Sequence, residues 1–335
     1  MTDWKNIDNL IMGSNHILLA THENPDGDGL GSIAALYHHL LNKGKDCRCI
    51  QFDVLPYEYQ FLNTDDIFEI YDQATHQKWL DNADLAVLLD IGNFDRVPIL
   101  KKRDNKNGLT ILNIDHHPHH DKKIFDYNVI DTSVAATGEL IYDYLKNINN
   151  EEIAKEIYIG LYTAILTDTG SFSYSNTTVR SHEIAIESLK AGVDSVAIYQ
   201  KVYESSSLGK VKLLGTIIDQ MNYELDGKLI WFLLDRKMLS EAGAIQADVD
   251  GFTDFVRKIR GVEVAMMIFE YEKDLCRINF RSSGNYVVNK IADKFGGGGH
   301  AFAAGAKVPG QLKEVLKTVL NETITQIQDQ ESTML

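Results

Sequence analysis

The sequence lacks the features of several protein classes. It has 335 residues but only five prolines and three cysteines. A low and odd cysteine count argues against a disulfide scaffold and favours a reducing compartment. The absence of low-complexity tracts and short repeats excludes collagen-like, linker-like and solenoid architectures. No apolar run approaches about 18 residues, and the N-terminus lacks a basic head followed by an apolar stretch. We therefore expect no membrane span, no secretory signal and a cytoplasmic location.

Positive charge is also scarce. The chain has 33 Lys and Arg against 48 Asp and Glu, a formal net charge of −15. This charge would repel long duplex nucleic acid and anionic membrane surfaces. An anionic substrate would need a local reversal of the field, which bound metal ions can supply. The length and the apolar fraction of 44% predict about two domains with sizeable cores.

Short apolar runs alternate with helical patterns in the first half of the chain. The predicted strands cover 16–21, 46–52, 85–89 and 109–114. The predicted helices run from about Ile33 to a stop at Gly44 and over 136–146 and 151–167. This alternation predicts an α/β domain with a parallel sheet wrapped by helices on both faces. Ligands of such sheets bind beyond the carboxyl ends of the strands.

The pattern changes after about residue 190. Predicted strands cover 229–234, 262–271 and 275–281, and predicted helices cover 285–295 and 312–328. The second and third strands are joined by a short polar segment that predicts a hairpin. We predict a first domain over 1–190, a linker over 191–215 with a hinge at 205–207, and a smaller α/β domain over 216–335.

Acidic residues and histidines follow the predicted strands. They lie in the segment THENPDGDG at 21–29, at Asp90, in Asp115-His116-His117 and at Asp168. One such Asp could be a helix cap or turn residue, but three strand ends and a loop need another explanation. Because parallel strands end at one edge, these side chains can converge. The pattern suits two-metal hydrolysis, with divalent ions about 3.5–4 Å apart. Imidazoles among the carboxylates favour Mn²⁺ or another transition ion over Mg²⁺.

Simpler interpretations exist for each motif. The Asp26-Gly-Asp28 segment fails as an EF-hand loop, because Leu30 stands where the third oxygen ligand is needed. The nearby glycines do not form the G-x-G-x-x-G turn of dinucleotide-binding proteins. Taken alone, Asp115-His116-His117 could be a solvated turn. We assign no role to His119 and His120, which extend this histidine-rich stretch.

A glycine run, Gly296-Gly-Gly-Gly-His300, is the second motif of interest. Glycines allow backbone amides to approach an anion closely, although the run lacks the Lys-Ser/Thr of a Walker loop. The alternative is a flexible helix terminus without a ligand. Arg281 and Ser282 follow a predicted strand, and Arg281 could bind phosphate with two hydrogen bonds. The alternative for Arg281 is a surface ion pair.

Together these motifs resemble the DHH phosphoesterase family. The resemblance is carried by His22-x-Asn-Pro-Asp26-Gly-Asp28, Asp90, Asp115-His116-His117 and Asp168. The glycine run resembles the associated DHHA1 domain, so the similarity spans about 22–305. The short two-domain layout is similar to the bacterial nanoRNase and pAp-phosphatase branch. It is unlike the long single-strand exonucleases, and the glycine-histidine motif argues against the inorganic pyrophosphatases of the superfamily.

The resemblance implies a role for each motif residue. One Mn²⁺ would be held by His22, Asp26 and Asp90. The other would be held by Asp28, Asp90, His116 and Asp168, with Asp90 bridging. The catalytic set would also include Asp115, which would orient a histidine, and His117, which would contact the scissile phosphate. Substrate would be bound by Arg281, Ser282, Gly298, Gly299 and His300 from across a cleft.

The implied activity is Mn²⁺-dependent hydrolysis, by two-metal hydroxide attack, of very short single-stranded RNA and of 3′-phosphoadenosine 5′-phosphate (pAp). One alternative is a phosphodiesterase for cyclic di-AMP or its linear product pApA. Another is a nucleotide- or RNA-binding module without turnover. Replacement of a metal-binding residue such as Asp90 or Asp168 would favour the module without turnover, but every metal-binding residue of the motifs is present. We expect no long duplex or membrane partner, and a homodimer because twofold dimers are the commonest assembly.

Overall fold

The chain folds into two compact units, Met1–Ser205 and Ser206–Leu335. The structure is a computed structural model that describes residues 2–92, 94–102, 108–118, 124–148 and 152–334. Each unit is built around its own six-stranded sheet. Within the described residues, no helix is both long enough and apolar enough to cross a membrane.

The first unit contains a parallel sheet with strand order β3-β2-β1-β4-β5-β6. Its strands are β1 (His16–Ala20), β2 (Asp46–Gln51), β3 (Phe68–Ile70), β4 (Leu85–Leu89), β5 (Thr110–Asp115) and β6 (Tyr127–Ile130). Its helices are α1 (Trp4–Gly13), α2 (Gly27–Asn42), α3 (Gln73–Asn82), α4 (Thr137–Ile148), α5 (Lys155–Asp168), α6 (Val179–Lys190) and α7 (Ser195–Tyr203). Short 3₁₀ helices lie at Tyr57–Leu62, Thr64–Asp66, Phe94–Arg96 and Pro98–Lys102.

Both faces of this sheet are covered. Along β1, Ile17 and Leu19 belong to one core, whereas Leu18 belongs to a second core that also contains Leu88. Successive side chains of a strand point to opposite faces, so the two cores lie on either side of the sheet. The prediction of a parallel sheet wrapped by helices on both faces is therefore confirmed.

The strand order places β1 and β4 side by side at the centre of the sheet. The chain builds outward through β2 and β3 on one side and then through β5 and β6 on the other. Between β1 and β4 the order reverses, and this is the crevice where ligands of open α/β sheets bind. The segments that follow β1, β4 and β5 leave from this same edge.

A glycine contact fixes the crossing of α2 and α5 on one face of the sheet. A β-carbon added at Gly160 would lie 2.5 Å from the carbonyl oxygen of Gly31 and 2.7 Å from the amide nitrogen of Ala35. A β-carbon at Gly31 would meet the Gly160 carbonyl at 2.4 Å. Since both partners are backbone atoms, the helices must separate to accept any side chain. The close packing continues to the start of α2 and the end of α5, where a β-carbon at Gly27 would lie 2.4 Å from Cγ2 of Thr167.

The second unit has a mixed sheet with strand order β11-β12-β10-β9-β8-β7. Its strands are β7 (Asn222–Glu224), β8 (Leu229–Leu234), β9 (Val264–Glu272), β10 (Leu275–Ser282), β11 (Gly298–His300) and β12 (Ala303–Pro309). Its helices are α8 (Leu208–Gln220), α9 (Arg236–Ala242), α10 (Phe252–Arg257), α11 (Asn289–Asp293) and α12 (Leu312–Met334). The β8–β9 pair is parallel and the other pairs are antiparallel.

The helix predicted over 285–295 is shorter than expected. Only Asn289–Asp293 is helical. The Ser282 hydroxyl accepts the amide of Gly284 at 3.2 Å, and the amide of Val288 donates to the carbonyl of Ala301 at 2.7 Å. Since these backbone groups are satisfied outside a helix, the segment before Asn289 forms a turn instead.

The range 191–215, predicted as a linker, contains regular structure. It includes α7 and the first part of α8, and the two units divide between Ser205 and Ser206. Asp194 caps α7 and Ser207 caps α8 through side-chain hydrogen bonds to the first-turn amides. Asp194 and Ser207 therefore act as helix caps, and only 204–207 separates the two helices.

We predict that Gly160→Ala destabilises the protein by at least about 2 kcal/mol, because its methyl group has only backbone atoms to displace. Gly13→Ala is the matched control, since nothing lies within 4 Å of the added β-carbon there. That control should change the free energy of unfolding by no more than about 0.5 kcal/mol. Urea unfolding of the three proteins measures both values, and equal stabilities would contradict the tight crossing.

Candidate metal centre

The loop after β1 supplies His22 and Asp26. Asp26 is the N-cap of α2, and its Oδ1 accepts the amides of Asp28 at 3.1 Å and Gly29 at 3.2 Å. Its Oδ2 lies 3.6 Å from Nε2 of the buried His22. One oxygen of Asp26 therefore holds the helix while the other is directed at the imidazole.

Asp28 is buried at the start of α2 and is held by a different helix. Its Oδ2 accepts the amide of Thr137 at 2.6 Å, and its Oδ1 accepts the amide of Gly138 at 3.0 Å. These are first-turn amides of α4, which have no acceptor within their own helix. The hydroxyl of Ser32 donates to the same Oδ1 at 3.2 Å. The N-terminus of α4 therefore stabilises a carboxylate that burial would otherwise disfavour.

Asp90 lies at the centre of the crevice, directly after β4. Its backbone is left-handed, with φ of 57°, which an L-residue other than glycine adopts at a cost. The carboxylate has a different neighbour on each side. Its Oδ1 lies 3.5 Å from Nε2 of His116, and its Oδ2 lies 3.9 Å from Nε2 of His22. This orientation is the one that a bridging carboxylate needs.

Asp115 ends β5 and organises the neighbouring loop. It is fully buried, and its Oδ2 accepts the amides of Ile91 at 3.1 Å and Gly92 at 2.9 Å. Its Oδ1 accepts the amide of His117 at 2.9 Å and lies 2.8 Å from Nδ1 of the His117 ring. Asp115 thus fixes the loop after Asp90 and orients His117, the kind of support that the resemblance assigned to it.

Asp168 closes the site from the C-terminal end of α5. Its carboxylate lies 3.7 Å from Nε2 of His116. Three consecutive residues after it, Gly170, Ser171 and Phe172, all have left-handed backbone conformations. The Thr169 hydroxyl accepts the amide of Phe172 at 3.0 Å, which stabilises this tight turn. The turn leads the chain away from the crevice immediately beyond Asp168.

The convergent side chains form three overlapping groups with the chemistry of a metal site. The groups are His22 with Asp26 and Asp90, Asp28 with His116 and Asp168, and Asp90 with His116 and His117. Within each group the donor atoms lie within 4.8 Å of one another. Atoms that bind one ion at about 2.0–2.2 Å lie no more than about 4.4 Å from one another, which is close to this limit. The set of carboxylates and imidazoles around Asp90 therefore has the composition and spacing of a divalent-metal site.

The pKa values of the buried carboxylates depend on the positive charge near each of them. Burial, together with the charge of Asp90, raises the pKa of Asp28 well above its usual range. Burial and the nearby carboxylates also raise the pKa of Asp168 to about 7, although His116 opposes the shift. Burial opposes ionisation of Asp90 as well, but hydrogen bonds from His116 and His117 hold its pKa well below 3.8.

The two histidines after β5 have raised pKa values for the same reason. Burial disfavours their charged forms, but the hydrogen bond to Asp90 and the charges of Asp28 and Asp168 raise the pKa of His116 to about 9. Hydrogen bonds to Asp115 and Asp90 likewise overcome burial and raise the pKa of His117 to about 11. Without a metal ion, protons on these imidazoles balance part of the carboxylate charge.

Sequence reasoning missed two residues next to this centre. Nη2 of Arg96 lies 2.8 Å from Nδ1 of His22 and 3.3 Å from the carbonyl of Glu23. The same carbonyl lies 2.8 Å from His22 Nδ1 and can accept its proton, which would leave Nε2 free to bind a cation. In that tautomer Arg96 donates to the Glu23 carbonyl and not to the imidazole. Thr137, whose hydroxyl donates to Asp90 Oδ1 at 3.3 Å, is the other. Neither residue type suggests a metal site by itself.

The predicted substrate-binding residues lie in the second unit, where each has a protein partner. Nε of Arg281 donates to both carboxylate oxygens of Asp254 at 3.1 Å. Ser282 is buried, and its hydroxyl accepts turn amides. Gly298, Gly299 and His300 form β11, which pairs with β12, so the glycine run enters a strand rather than ending a helix. Their roles in binding substrate stay predictions. His119 and His120 lie outside the described residues.

Two family models match the chain. The N-terminal domain of the DHH family matches residues 16–165, and the DHHA1 domain matches residues 226–326. The bifunctional oligoribonuclease and PAP phosphatase NrnA of Thermus thermophilus is 31% identical over 312 residues, covering 91% of this chain and 88% of the relative. The chain belongs to the DHH family. The family resemblance predicted from the motifs is therefore confirmed.

Further similarities agree with this assignment. A protein of the same name from Bacillus subtilis is 29% identical over 298 residues, covering 87% of this chain and 89% of the relative. An exopolyphosphatase-related protein from Bacteroides fragilis has the same fold, with a TM-score of 0.91, 24% identity and coverage of 99% of this chain and all of that one. RecJ of Thermus thermophilus in complex with Mn²⁺ has a TM-score of 0.54 at 14% identity, covering 95% of this chain and 53% of RecJ.

We predict that binding of Mn²⁺ releases protons at about pH 7. With a pKa of about 9, His116 carries a proton at that pH, and Asp168, with a pKa of about 7, is partly protonated. Both must lose their protons to bind a cation, so the affinity for Mn²⁺ should rise between about pH 6 and 9. Titration calorimetry in two buffers of different ionisation enthalpy counts the released protons. Asp168→Asn should release fewer, and a buffer-independent heat in the unaltered protein would contradict the prediction.

The same shifts predict how the metal-free protein responds to pH. Both pKa values are raised above those of the unfolded chain, so the folded state binds more protons. The contribution of Asp168 to stability should decline between about pH 4 and 7, and that of His116 between about pH 6.5 and 9. Thermal unfolding across this range tests the sign. A rise in Tm from pH 5 to 9 that Asp168→Asn does not alter would contradict it.

Proposed function

We propose that this protein is a metal-dependent phosphoesterase that hydrolyses short single-stranded oligoribonucleotides to mononucleotides and pAp to AMP. The observation that carries the proposal is the pair of donor groups on opposite sides of Asp90. Two relatives of nearly the same length are named bifunctional oligoribonuclease and PAP phosphatase, which supports the choice of substrates. The complete set of ligand side chains argues against a binding module without turnover.

The proposal assigns two cations to the site. One would be held by His22, Asp26 and Asp90, and the other by Asp28, Asp90, His116 and Asp168. Mixed carboxylate and imidazole ligands favour Mn²⁺ over Mg²⁺. Two divalent ions in these positions would activate a water molecule and neutralise charge on the phosphoryl group. The remaining steps depend on side chains that orient the substrate.

His117 is the side chain best placed to contact the scissile phosphate. Its Nδ1 is hydrogen-bonded to Asp115, which is anchored by backbone amides, so the orientation of the ring is fixed. The ring lies edge-on to that of His116, with centroids 4.4 Å apart. We assign His117 to hydrogen bonding of a phosphoryl oxygen and Asp115 to positioning the imidazole.

The charge of the chain favours small substrates. A net charge of −15 opposes the counterion release that drives binding along long RNA. We therefore expect substrates of about two to five nucleotides, bound locally rather than along an extended basic surface.

The low cysteine count favours the cytoplasm as the location, and a homodimer is the proposed assembly.

Gly298 offers the best support for a substrate site in the second unit. A β-carbon at Gly297 would lie 2.1 Å from the carbonyl of Gly305, and one at Gly299 would lie 2.5 Å from that of Ala303. These two glycines are therefore needed for strand packing. At Gly298 the nearest atom to an added β-carbon is 3.8 Å away, and φ is not in the left-handed region. A side chain would therefore fit the folded unit at Gly298, as it would at Gly215 in α8. We assign Gly298 to close approach of the substrate because it lies in the glycine run that resembles the DHHA1 domain.

We predict that Asp90→Asn lowers Mn²⁺-dependent hydrolysis of a diribonucleotide at least about a hundredfold, because the bridging carboxylate is lost. Asparagine tolerates the left-handed backbone at this position, so the variant should fold. Release of mononucleotides, followed by chromatography, measures the activity, and circular dichroism checks the fold. A folded variant that retains the activity of the unaltered protein would rule out Asp90 as the bridge.

We predict that Gly298→Ala raises KM for the diribonucleotide several-fold while leaving kcat and Tm nearly unchanged, because the methyl group occupies substrate space only. Gly215→Ala, in α8, is the control, since its β-carbon also meets nothing within 4 Å. Steady-state kinetics and thermal unfolding of both variants give the comparison. Unchanged kinetics in Gly298→Ala would remove the support that this glycine gives to a substrate site.

A metal-by-substrate screen on the purified protein tests the function itself. The substrates are oligoribonucleotides of about two to twenty residues, pAp, pApA and cyclic di-AMP, each with Mn²⁺ or Mg²⁺ and with a chelator. We expect Mn²⁺-dependent hydrolysis of pAp and of the shortest RNAs, with the rate falling as length increases. A preference for cyclic di-AMP or pApA would instead identify a cyclic-dinucleotide pathway enzyme, and equal turnover of long RNA would reject the length limit.

A further inference from the structure

The start of α4 contacts two of the proposed ligand carboxylates at once. Thr137, the first residue of the helix, is fully buried. Its amide donates to Asp28 Oδ2 at 2.6 Å, and its hydroxyl donates to Asp90 Oδ1 at 3.3 Å. The chain separation is 109 residues in the first contact and 47 in the second. A single residue therefore connects a carboxylate on α2 with the carboxylate that follows β4.

The two contacts fall on one side of the metal centre. Asp90 Oδ1 is the oxygen that faces His116, and Asp28 Oδ2 lies 3.8 Å from the same imidazole nitrogen. The oxygen of Asp90 that faces His22 has no contact with Thr137 among the hydrogen bonds of the described residues. Loss of the Thr137 hydroxyl would therefore loosen Asp90 on the side of His116 more than on the side of His22.

A helix cap alone does not explain these contacts. A buried threonine in a helix commonly donates its hydroxyl to a carbonyl in the preceding turn, as Thr163 does to Ile159 and Thr323 does to Val319. Thr137 instead donates to a carboxylate from a separate part of the chain. The amides of Thr137 and Gly138 already stabilise Asp28, so the hydroxyl is a further interaction directed at Asp90.

We propose that Thr137 is a positioning residue for the cation that Asp28, Asp90, His116 and Asp168 would hold. Its amide and hydroxyl hold Asp28 Oδ2 and Asp90 Oδ1 at a fixed separation and so define the pocket shared with His116 and Asp168. This inference rests on the two-cation site of the proposed function and adds to it a residue outside the ligand set. Thr137 would act through the carboxylates and would not touch the substrate.

The test measures metal binding without substrate. Thr137→Val keeps the side-chain shape and the amide but removes the hydroxyl. In Mn²⁺ titrations followed by calorimetry and electron paramagnetic resonance, we expect affinity for one of two ions to fall at least about tenfold. The spin-coupled signal of a two-manganese centre should weaken correspondingly. Thr137→Ser, which keeps the hydroxyl, should restore binding to within about threefold of the unaltered protein.

Thr323→Val is the matched control, because it removes a buried hydroxyl from a helix of the second unit. It should leave both manganese affinities unchanged. The inference is overturned if Thr137→Val binds two ions as the unaltered protein does, or if Thr137→Ser loses binding as severely as the valine variant. If Thr137→Val does not fold, comparison of Thr137→Ser with Thr137→Ala decides in the same way. An unaltered protein that binds no pair of ions would instead refute the proposed function.

Discussion

Four carboxylates and three imidazoles meet at one edge of the first sheet, and the need to neutralise this concentrated charge explains the structure around them. The fold supplies part of the compensation itself. Asp26 accepts amides of its own helix, and Asp28 accepts those of α4. In a metal-free protein, protons on His116, on His117 and in part on Asp168 supply further compensation. Cations would replace the protons of His116 and Asp168, so the same charge that disfavours the metal-free site gives it affinity for metal.

Much of the first unit was predictable from the sequence, because continuous apolar runs and strand-end aspartates are local features. The runs at 16–21, 85–89 and 109–114 correspond to β1, β4 and β5, and their parallel pairing brings His22, Asp90 and Asp115 to one edge. Short strands such as β3 and β6 carry too few residues for a periodic pattern. Thr137 was missed because its partners are distant in the chain and threonine at a helix start has an ordinary explanation.

The second unit shows where a motif alone was insufficient. The glycine run suggested an anion-binding loop, but most of its glycines are needed for a close strand pair or a left-handed backbone. Gly298 differs from its neighbours because an added β-carbon there would have no atom closer than 3.8 Å. Arg281 was expected to be available for phosphate, whereas in the folded unit Asp254, 27 residues away, binds its Nε. A substrate anion would have to share that guanidinium or displace the carboxylate.

We propose that Asp90 lies between two cations held by residues distant in sequence. Anomalous diffraction from crystals grown with Mn²⁺, recorded at the manganese absorption edge, tests it most directly. We expect two peaks about 3.5–4 Å apart, one beside His22 and Asp26 and the other beside Asp28, His116 and Asp168, with Asp90 in contact with both. A single peak, or manganese bound away from Asp90, would contradict it.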